Sequence, residues 1–155
     1  MMDPRNEDPV LRISSRLTCM AVAGAQTSYD PRVIARIIGK AAANHPALLP
    51  MYGLRPGEVE SEKAFRLYTD ASPITHLSAD DPPVFMYYGE ADGPLPPDAK
   101  PGQGIHHPRF GRYLKERTAK LGIEVILRHR KDYASTTQKE MYQQMVAFFL
   151  RHFNN

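Results

Sequence analysis

Residues 81–92, DPPVFMYYGEAD, hold the most informative pattern in this chain. Asp81-Pro82-Pro83, preceded by Asp80, forms a turn signal, five apolar residues follow, and Gly89 ends the run. A short apolar run between turn residues is typical of a strand that is covered on both faces of a parallel sheet. We therefore predict a strand over residues 84–88, followed by a loop that carries Glu90 and Asp92.

Two further strands are predicted on either side of this one. Residues 17–24 are apolar at nearly every position, which indicates a strand covered on both faces. Residues 124–127, with an extension to His129, form the third. Four helices are predicted at residues 9–15, from Asp30-Pro31 to Gly39, from Ser61 through Tyr68, and from His107-Pro108 to Gly122. A fifth begins at a capping box, Thr137–Glu140, and has an apolar stripe at Met141, Met145, Phe148, Phe149 and Phe153. Residues 40–60 are expected to be irregular.

The alternation of strands and helices predicts an α/β fold with about three parallel strands and flanking helices. The first strand has the composition of an interior strand, yet no earlier residues can form a strand on its other side. We therefore expect an incomplete sheet, and residues 1–155 are interpreted as one partial domain.

Composition excludes several classes of function. The chain has 155 residues, 42% of them apolar, and a net charge of +3, with basic and acidic side chains interleaved as in Lys115-Glu116-Arg117. This pattern is typical of a solvated surface and argues against nucleic-acid binding. No apolar run approaches the roughly 18 residues of a membrane helix. Residues 1–10 are too polar for a signal peptide, so we expect a cytoplasmic chain without a membrane partner.

No cofactor and no metal ion is expected. The single cysteine, Cys19, lies inside an apolar run and is predicted to be a small buried hydrophobic residue. The six histidines include no pair at the helical spacing of metal ligands, which argues against a zinc site.

The strand that leads into Gly-x-x-Asp resembles the C-terminal region of α/β-hydrolases. The likeness is greatest to the BD-FAE-like esterase/lipase group, and it extends from about Asp8 through Ser72-Pro73-Ile74, residues 104–110 (GIHHPRF) and the aromatic-rich last helix. Better-known members of that group hydrolyse acyl or acetyl esters, often on carbohydrates. The resemblance therefore implies a carboxylic ester hydrolase that acts on a small ester substrate.

The resemblance also implies two catalytic residues. In the family the acid of a Ser-His-Asp triad follows this strand, and Asp92 occupies that position. The alternative interpretation is that Asp92 is a loop residue whose side chain caps a turn. The family histidine follows the last strand, where His129 is the nearest candidate, although it lacks the expected Gly-His turn and can also be a surface strand residue. His107 is predicted to be a helix cap and His106 a loop residue.

The nucleophile of such an enzyme is absent from this sequence. Neither Gly-x-Ser-x-Gly nor a His-Gly-Gly oxyanion loop occurs, and both would precede the first strand in the family order Ser, Asp, His. Ser14, Ser15 and Ser28 are interpreted as caps or surface residues. We expect a truncated esterase or lipase remnant that is inactive alone. Two alternatives are an interaction module that pairs through its open sheet edge, with itself or with a separate N-terminal half, and a small complete enzyme that uses Asp92 and His129.

Overall fold

Three parallel strands form the centre of the computed structural model, which describes residues 4–133 and 138–154. They are β1 (Met20–Ala23), β2 (Val84–Tyr88) and β3 (Val125–His129). β2 lies in the middle, so that Val84 is opposite Met20 on one side and Val125 on the other. The predicted α/β class with three parallel strands is confirmed, and β2 has the predicted bounds.

Six α-helices surround this sheet in the described residues. They are α1 (Pro31–Ile37), α2 (Lys40–Ala43), α3 (Leu48–Tyr52), α4 (Glu62–Ala71), α5 (Arg109–Ala119) and α6 (Lys139–Phe153). Short 3-10 turns occur at Pro9–Arg12, Pro56–Glu58, Pro73–Thr75 and Arg130–Asp132. None of the described helices is long and apolar enough to cross a membrane.

The alternation of side chains along β2 divides the core into two layers. Val84, Met86 and Tyr88 share one core cluster with residues of α1 and α5, whereas Phe85 packs on the opposite side against Phe148 of α6, with ring centroids 5.9 Å apart. Both faces of the central strand are therefore covered, as its unbroken apolar sequence predicts.

Helix α5 approaches the sheet closely because it carries Gly111. A β-carbon at this position would lie 2.5 Å from Tyr88 Cε2 and 2.6 Å from Leu127 Cδ1. Such distances are shorter than any ordinary van der Waals contact, so only glycine fits here without a shift of α5 or the sheet. This contact fixes the position of the next residue, Arg112.

Local capping signals in the sequence are confirmed. The Asp30 side chain accepts a hydrogen bond from the Arg32 N–H at 2.9 Å, and Ser61 Oγ accepts one from the Ala64 N–H at 3.2 Å. Gly122, which follows α5, has a φ of +72°.

Other local predictions were less accurate. The helix predicted over residues 9–15 is only the 3-10 turn Pro9–Arg12, and residues 40–60, expected to be irregular, contain α2, α3 and another turn. The predicted capping box includes Thr137, which lies outside the described residues.

Strand β1 is less buried than its sequence predicts. Met20, Ala21 and Val22 are half-buried and Ala23 is exposed. The physical reason is that β1 pairs only with β2, and its other edge has no strand within the described ranges. Cys19, just before β1, is buried beside Phe85 and Phe148, as predicted.

Candidate functional site

The carboxyl ends of β1, β2 and β3 lie at the same edge of the sheet. Gly24 follows β1, the loop 89–92 follows β2, and His129 is the last residue of β3. Crevices beyond the carboxyl ends of parallel strands are the usual ligand sites of open α/β sheets. The two residues predicted to be catalytic, Asp92 and His129, are both at this edge.

Asp92 is held by an ion pair with Arg112 of α5. Its carboxylate accepts a hydrogen bond from Arg112 Nη1 at 2.8 Å and a second from Nη2, so the contact is bidentate. The hydrogen bond from Arg112 is the main reason that the pKa of Asp92 falls from 3.8 to about 2, with smaller contributions from the charges of Arg112, His129 and His107. Asp92 is therefore ionised at neutral pH.

His129 contributes to that lowering of the pKa of Asp92, but the two side chains form no hydrogen bond in the described structure. Nδ1 of His129 accepts a hydrogen bond from the Lys131 N–H at 3.1 Å, and Nε2 lies 2.7 Å from the carbonyl oxygen of Glu90. The half-buried ring thus connects β3 to the loop after β2. A triad histidine instead donates from Nδ1 to its carboxylate, so the ring has the opposite orientation here.

Two further histidines, neither of which was predicted to be catalytic, lie at this edge. The buried His107 accepts a hydrogen bond at 3.1 Å from the N–H of Arg109, the first residue of α5, although the N-cap position itself is Pro108. Its Nε2 lies 2.8 Å from the Gly93 carbonyl oxygen. His106 is exposed, and its Nδ1 lies 2.6 Å from the Gly24 carbonyl oxygen. Both histidines lie in the sequence GIHHP, which predicts the start of a helix but does not reveal which distant backbone groups the two rings contact.

Glu90 connects these groups. Its backbone carbonyl faces His129, and its Oε1 accepts a hydrogen bond from the backbone N–H of His106 at 3.3 Å. Within the described residues, no group of three or more histidine, cysteine or carboxylate side chains has the geometry of a metal site.

The serines of the described chain do not complete a triad at this edge. Ser14 is exposed, and its Oγ accepts a hydrogen bond from the Arg16 N–H at 3.2 Å. Ser28 is fully buried, and its Oγ accepts one from the Asp30 N–H at 3.2 Å. Ser28 was expected to be a cap or a surface residue; this hydrogen bond agrees with the first role, and its burial excludes the second.

Two open cavities occur among the described residues, and one of them extends to Ala25, Gln26 and Thr27, directly after Gly24. One, of about 640 Å³, lies beside α1 and α4 and is lined in part by Arg32, Phe65 and Tyr68. The other, of about 410 Å³, is mostly apolar and runs along β1 beside Met20 and Val22. Neither is lined by Asp92 or by any of the three histidines at the sheet edge.

Comparison with known proteins gives one partial similarity. A stretch of 54 residues, 35% of this chain, is 39% identical to part of LipM of Mycobacterium tuberculosis, which is described as a probable carboxylic ester hydrolase. The matched stretch covers 12% of that protein. No protein-family model matches the chain, and no solved structure matches it. The similarity supports an ester-hydrolase ancestry.

Proposed function

We propose that this chain forms the acid-bearing C-terminal part of a serine-type carboxylic ester hydrolase with the α/β-hydrolase fold, related to BD-FAE-like esterases and lipases. The observation that carries the proposal is the position of Asp92, an ionised carboxylate in the loop after the middle parallel strand. A Ser-His-Asp triad needs such a carboxylate to orient its histidine and to stabilise the imidazolium that forms.

The order of elements supports the same proposal. In α/β-hydrolases the triad residues follow one another along the chain as Ser, Asp or Glu, then His. Here Asp92 follows β2, and His129 ends β3, the next strand along the chain and its neighbour in the sheet. The partial similarity to a carboxylic ester hydrolase agrees with this assignment.

The proposed site is incomplete without a nucleophile and an oxyanion hole, neither of which has a sequence motif in this chain. The proposal therefore assigns both to a separate N-terminal half that would pair with the free edge of β1. On completion, His129 would exchange its hydrogen bond with Lys131 for one to Asp92. Alone, the chain is proposed to have no serine-dependent activity.

Labelling with a fluorophosphonate probe tests this proposal. We expect no labelled serine in the chain alone, and one after addition of the N-terminal part of a carboxylic ester hydrolase that carries Gly-x-Ser-x-Gly. Asp92→Asn should then slow ester hydrolysis about 10⁴-fold, the effect of losing a triad acid. Asp98→Asn, at an exposed position six residues further along the chain, is the matched control. Stoichiometric labelling of a serine in the chain alone would contradict the proposal.

A second candidate function, an interaction module, is favoured by exposed apolar surface. On α6, Tyr142, Val146, Leu150 and Phe153 form one stripe at helical spacing, and each is between 54% and 61% exposed. The amides of Met20 and Gly24 donate hydrogen bonds toward β2. Because successive amides of a strand point to opposite sides, those of Ala21 and Ala23 point to the free edge of β1. Such an edge can pair with another strand. We propose that the chain associates with itself or with a separate half through these surfaces.

Light scattering across a concentration series tests this second candidate. We expect association that Leu150→Lys weakens and that Gln143→Lys, at an exposed polar position of the same helix, leaves unchanged. Ala23→Pro should also weaken it, because proline removes a donor from the free edge without removing a bond to β2. A monomer at every concentration would exclude self-association.

A further inference from the structure

The hydrogen-bond partners of a histidine ring determine which of its nitrogens carries the proton. In both His107 and His129, Nδ1 accepts from a backbone N–H, that of Arg109 or Lys131, and Nε2 faces a backbone carbonyl. A carbonyl oxygen can only accept and an amide N–H can only donate. Each neutral ring therefore carries its proton on Nε2, and both of its nitrogens already have partners.

His106 has the reverse arrangement. Its Nδ1 lies 2.6 Å from the carbonyl oxygen of Gly24, so Nδ1 carries the proton and Nε2 keeps a lone pair. In the described part of the chain, no group forms a hydrogen bond with Nε2 of His106. Because the residue is exposed, this lone pair is open to a ligand that approaches the carboxyl edge of the sheet.

Gly24 makes this arrangement sterically accessible. It has a φ of +60°, which favours glycine, and a β-carbon there would lie 3.2 Å from Cβ, Cγ and Nδ1 of His106. The ring thus lies directly against the Gly24 backbone. The amide of His106 is tied to Glu90 Oε1, so both ends of the residue are oriented by groups at the sheet edge.

We propose that His106 is an acyl-accepting nucleophile, and that this edge of the sheet takes activated acyl esters. The Nε2 lone pair would form a bond to the acyl carbon, the ester C–O bond would break, and the alcohol oxygen would leave with the bonding electrons and take a proton from water. Water would then attack the cationic acyl-imidazolium and release the carboxylic acid, and the extra proton left on the ring would pass to the hydroxide formed in the first step, which restores the neutral ring. This reaction needs no serine, so it goes beyond the function proposed above.

The surroundings of His106 favour that step electrostatically. Acylation of Nε2 makes the ring cationic, and the positive charge would lie beside the Gly24 carbonyl oxygen, which accepts from Nδ1–H. The Glu90 carboxylate, bonded to the amide of the same residue, adds a negative charge nearby. Negative groups placed where positive charge develops lower the barrier of a reaction.

Modification with diethyl pyrocarbonate, an acyl donor that reacts with imidazoles, tests the proposal. Fragment-ion mass spectrometry would follow each histidine and distinguish His106 from its neighbour His107. We expect His106 to react about fivefold faster than a histidine whose attacking nitrogen must first break a hydrogen bond. His106→Asn should remove the fast phase, since an asparagine amide retains a donor to Gly24 but lacks the nucleophile.

Two controls separate this reactivity from exposure. His45 tests the hydrogen bond, because its Nδ1 accepts from the Ala47 N–H at 3.1 Å and its ring has no free lone pair. His76 tests exposure: it is exposed, its Nε2 lies 2.8 Å from the Asp70 carbonyl oxygen and carries the proton, and no described group bonds its Nδ1. If an exposed lone pair alone set the rate, His76 would react as fast as His106, and that result would overturn the proposal.

Gly24→Ala should slow the modification of His106, whereas Gly53→Ala, at the same φ of +60° with no neighbouring atom within 4 Å, should not. Equal rates in the two variants would refute the role of Gly24.

Discussion

Two polar clusters in this protein use similar residue types in different ways. In the interior, Ser72 Oγ accepts a hydrogen bond from the Tyr29 N–H at 2.9 Å and donates one to the Tyr68 carbonyl at 2.7 Å, while Ser28 caps the Asp30 amide. Ser28 and Ser72 are fully buried. At the carboxyl edge of the sheet, Asp92 is charged and partly exposed, and Nε2 of His106 has no hydrogen-bond partner in the described structure.

The difference shows that position, rather than residue type, separates structural from reactive groups. The buried hydroxyls satisfy backbone groups that loops and the last turn of α4 leave unpaired, and no described buried side-chain nitrogen or oxygen lacks a partner. A serine in such a cluster is inaccessible to a substrate. The edge groups, by contrast, retain an accessible charge and an accessible lone pair. Substitutions in the interior should therefore cost stability, and those at the edge should change titration or reactivity.

The largest effect on stability is expected from Gly111→Ala, where α5 meets the sheet. The added β-carbon would collide with Tyr88 and Leu127, and we expect a loss of about 3 kcal/mol in the free energy of unfolding, at the upper end of overpacking costs. Urea denaturation measures this loss. Gly57→Ala, with no atom within 4 Å of its added β-carbon, is the control. Similar losses in the two variants would show that α5 does not fit the sheet as closely as the structure indicates.

A smaller loss is expected when the buried cluster is broken by Ser72→Ala. The substitution removes the acceptor of the Tyr29 amide, and an unsatisfied buried donor costs about 1–2 kcal/mol. Thermal unfolding of this variant should be compared with that of Ser14→Ala, which removes a similar hydrogen bond at an exposed position. If Ser14→Ala is equally destabilising, burial does not distinguish the two serines.

Some of this arrangement can be predicted from sequence because its causes are local. The strand over 84–88 is bounded by prolines and a glycine, and the helix starts at Asp30 and Ser61 depend on side chains two or three residues from the amides that they cap. Contacts between distant residues cannot be predicted in this way. α3 is held partly by a hydrogen bond from Tyr52 to the Tyr29 carbonyl. The free edge of β1, by contrast, was expected, because no residues before this strand could form a neighbour for it.

The candidate site shows the same limit. The loop after β2 placed Asp92 at the edge of the sheet, but its sequence does not reveal that Arg112 holds the carboxylate from another element. The role proposed for His106 depends on Gly24, 82 residues away. Which nitrogen of a histidine is protonated depends on such distant partners, and the sequence therefore suggested His129, the histidine nearest to the family position, and passed over His106.

The smallest effect on stability is expected from Arg112→Gln at the edge. The pKa of Asp92 is depressed mainly by the hydrogen bond from Arg112, so the variant should raise it from about 2 toward 3.8, as a carboxyl NMR titration would show. A carboxylate with a depressed pKa stabilises the folded state above the pKa of its unfolded form, and this stabilisation is lost as the pH falls from about 4 to 2. Because the pair is partly exposed, its loss should cost about 0.5–1 kcal/mol at neutral pH.

At about pH 1 the stabilities of the wild-type chain and the Arg112→Gln variant should converge, because Asp92 is then largely protonated in both. Arg66→Gln, which breaks the exposed pair with Glu62, is the control and should leave the pKa of Asp92 unchanged. An Asp92 titration that Arg112→Gln does not move would mean that Arg112 does not hold this carboxylate in solution. Asp92 would then be free to bond with His129 without first breaking an ion pair, and the edge would need less rearrangement to form a triad than the structure implies.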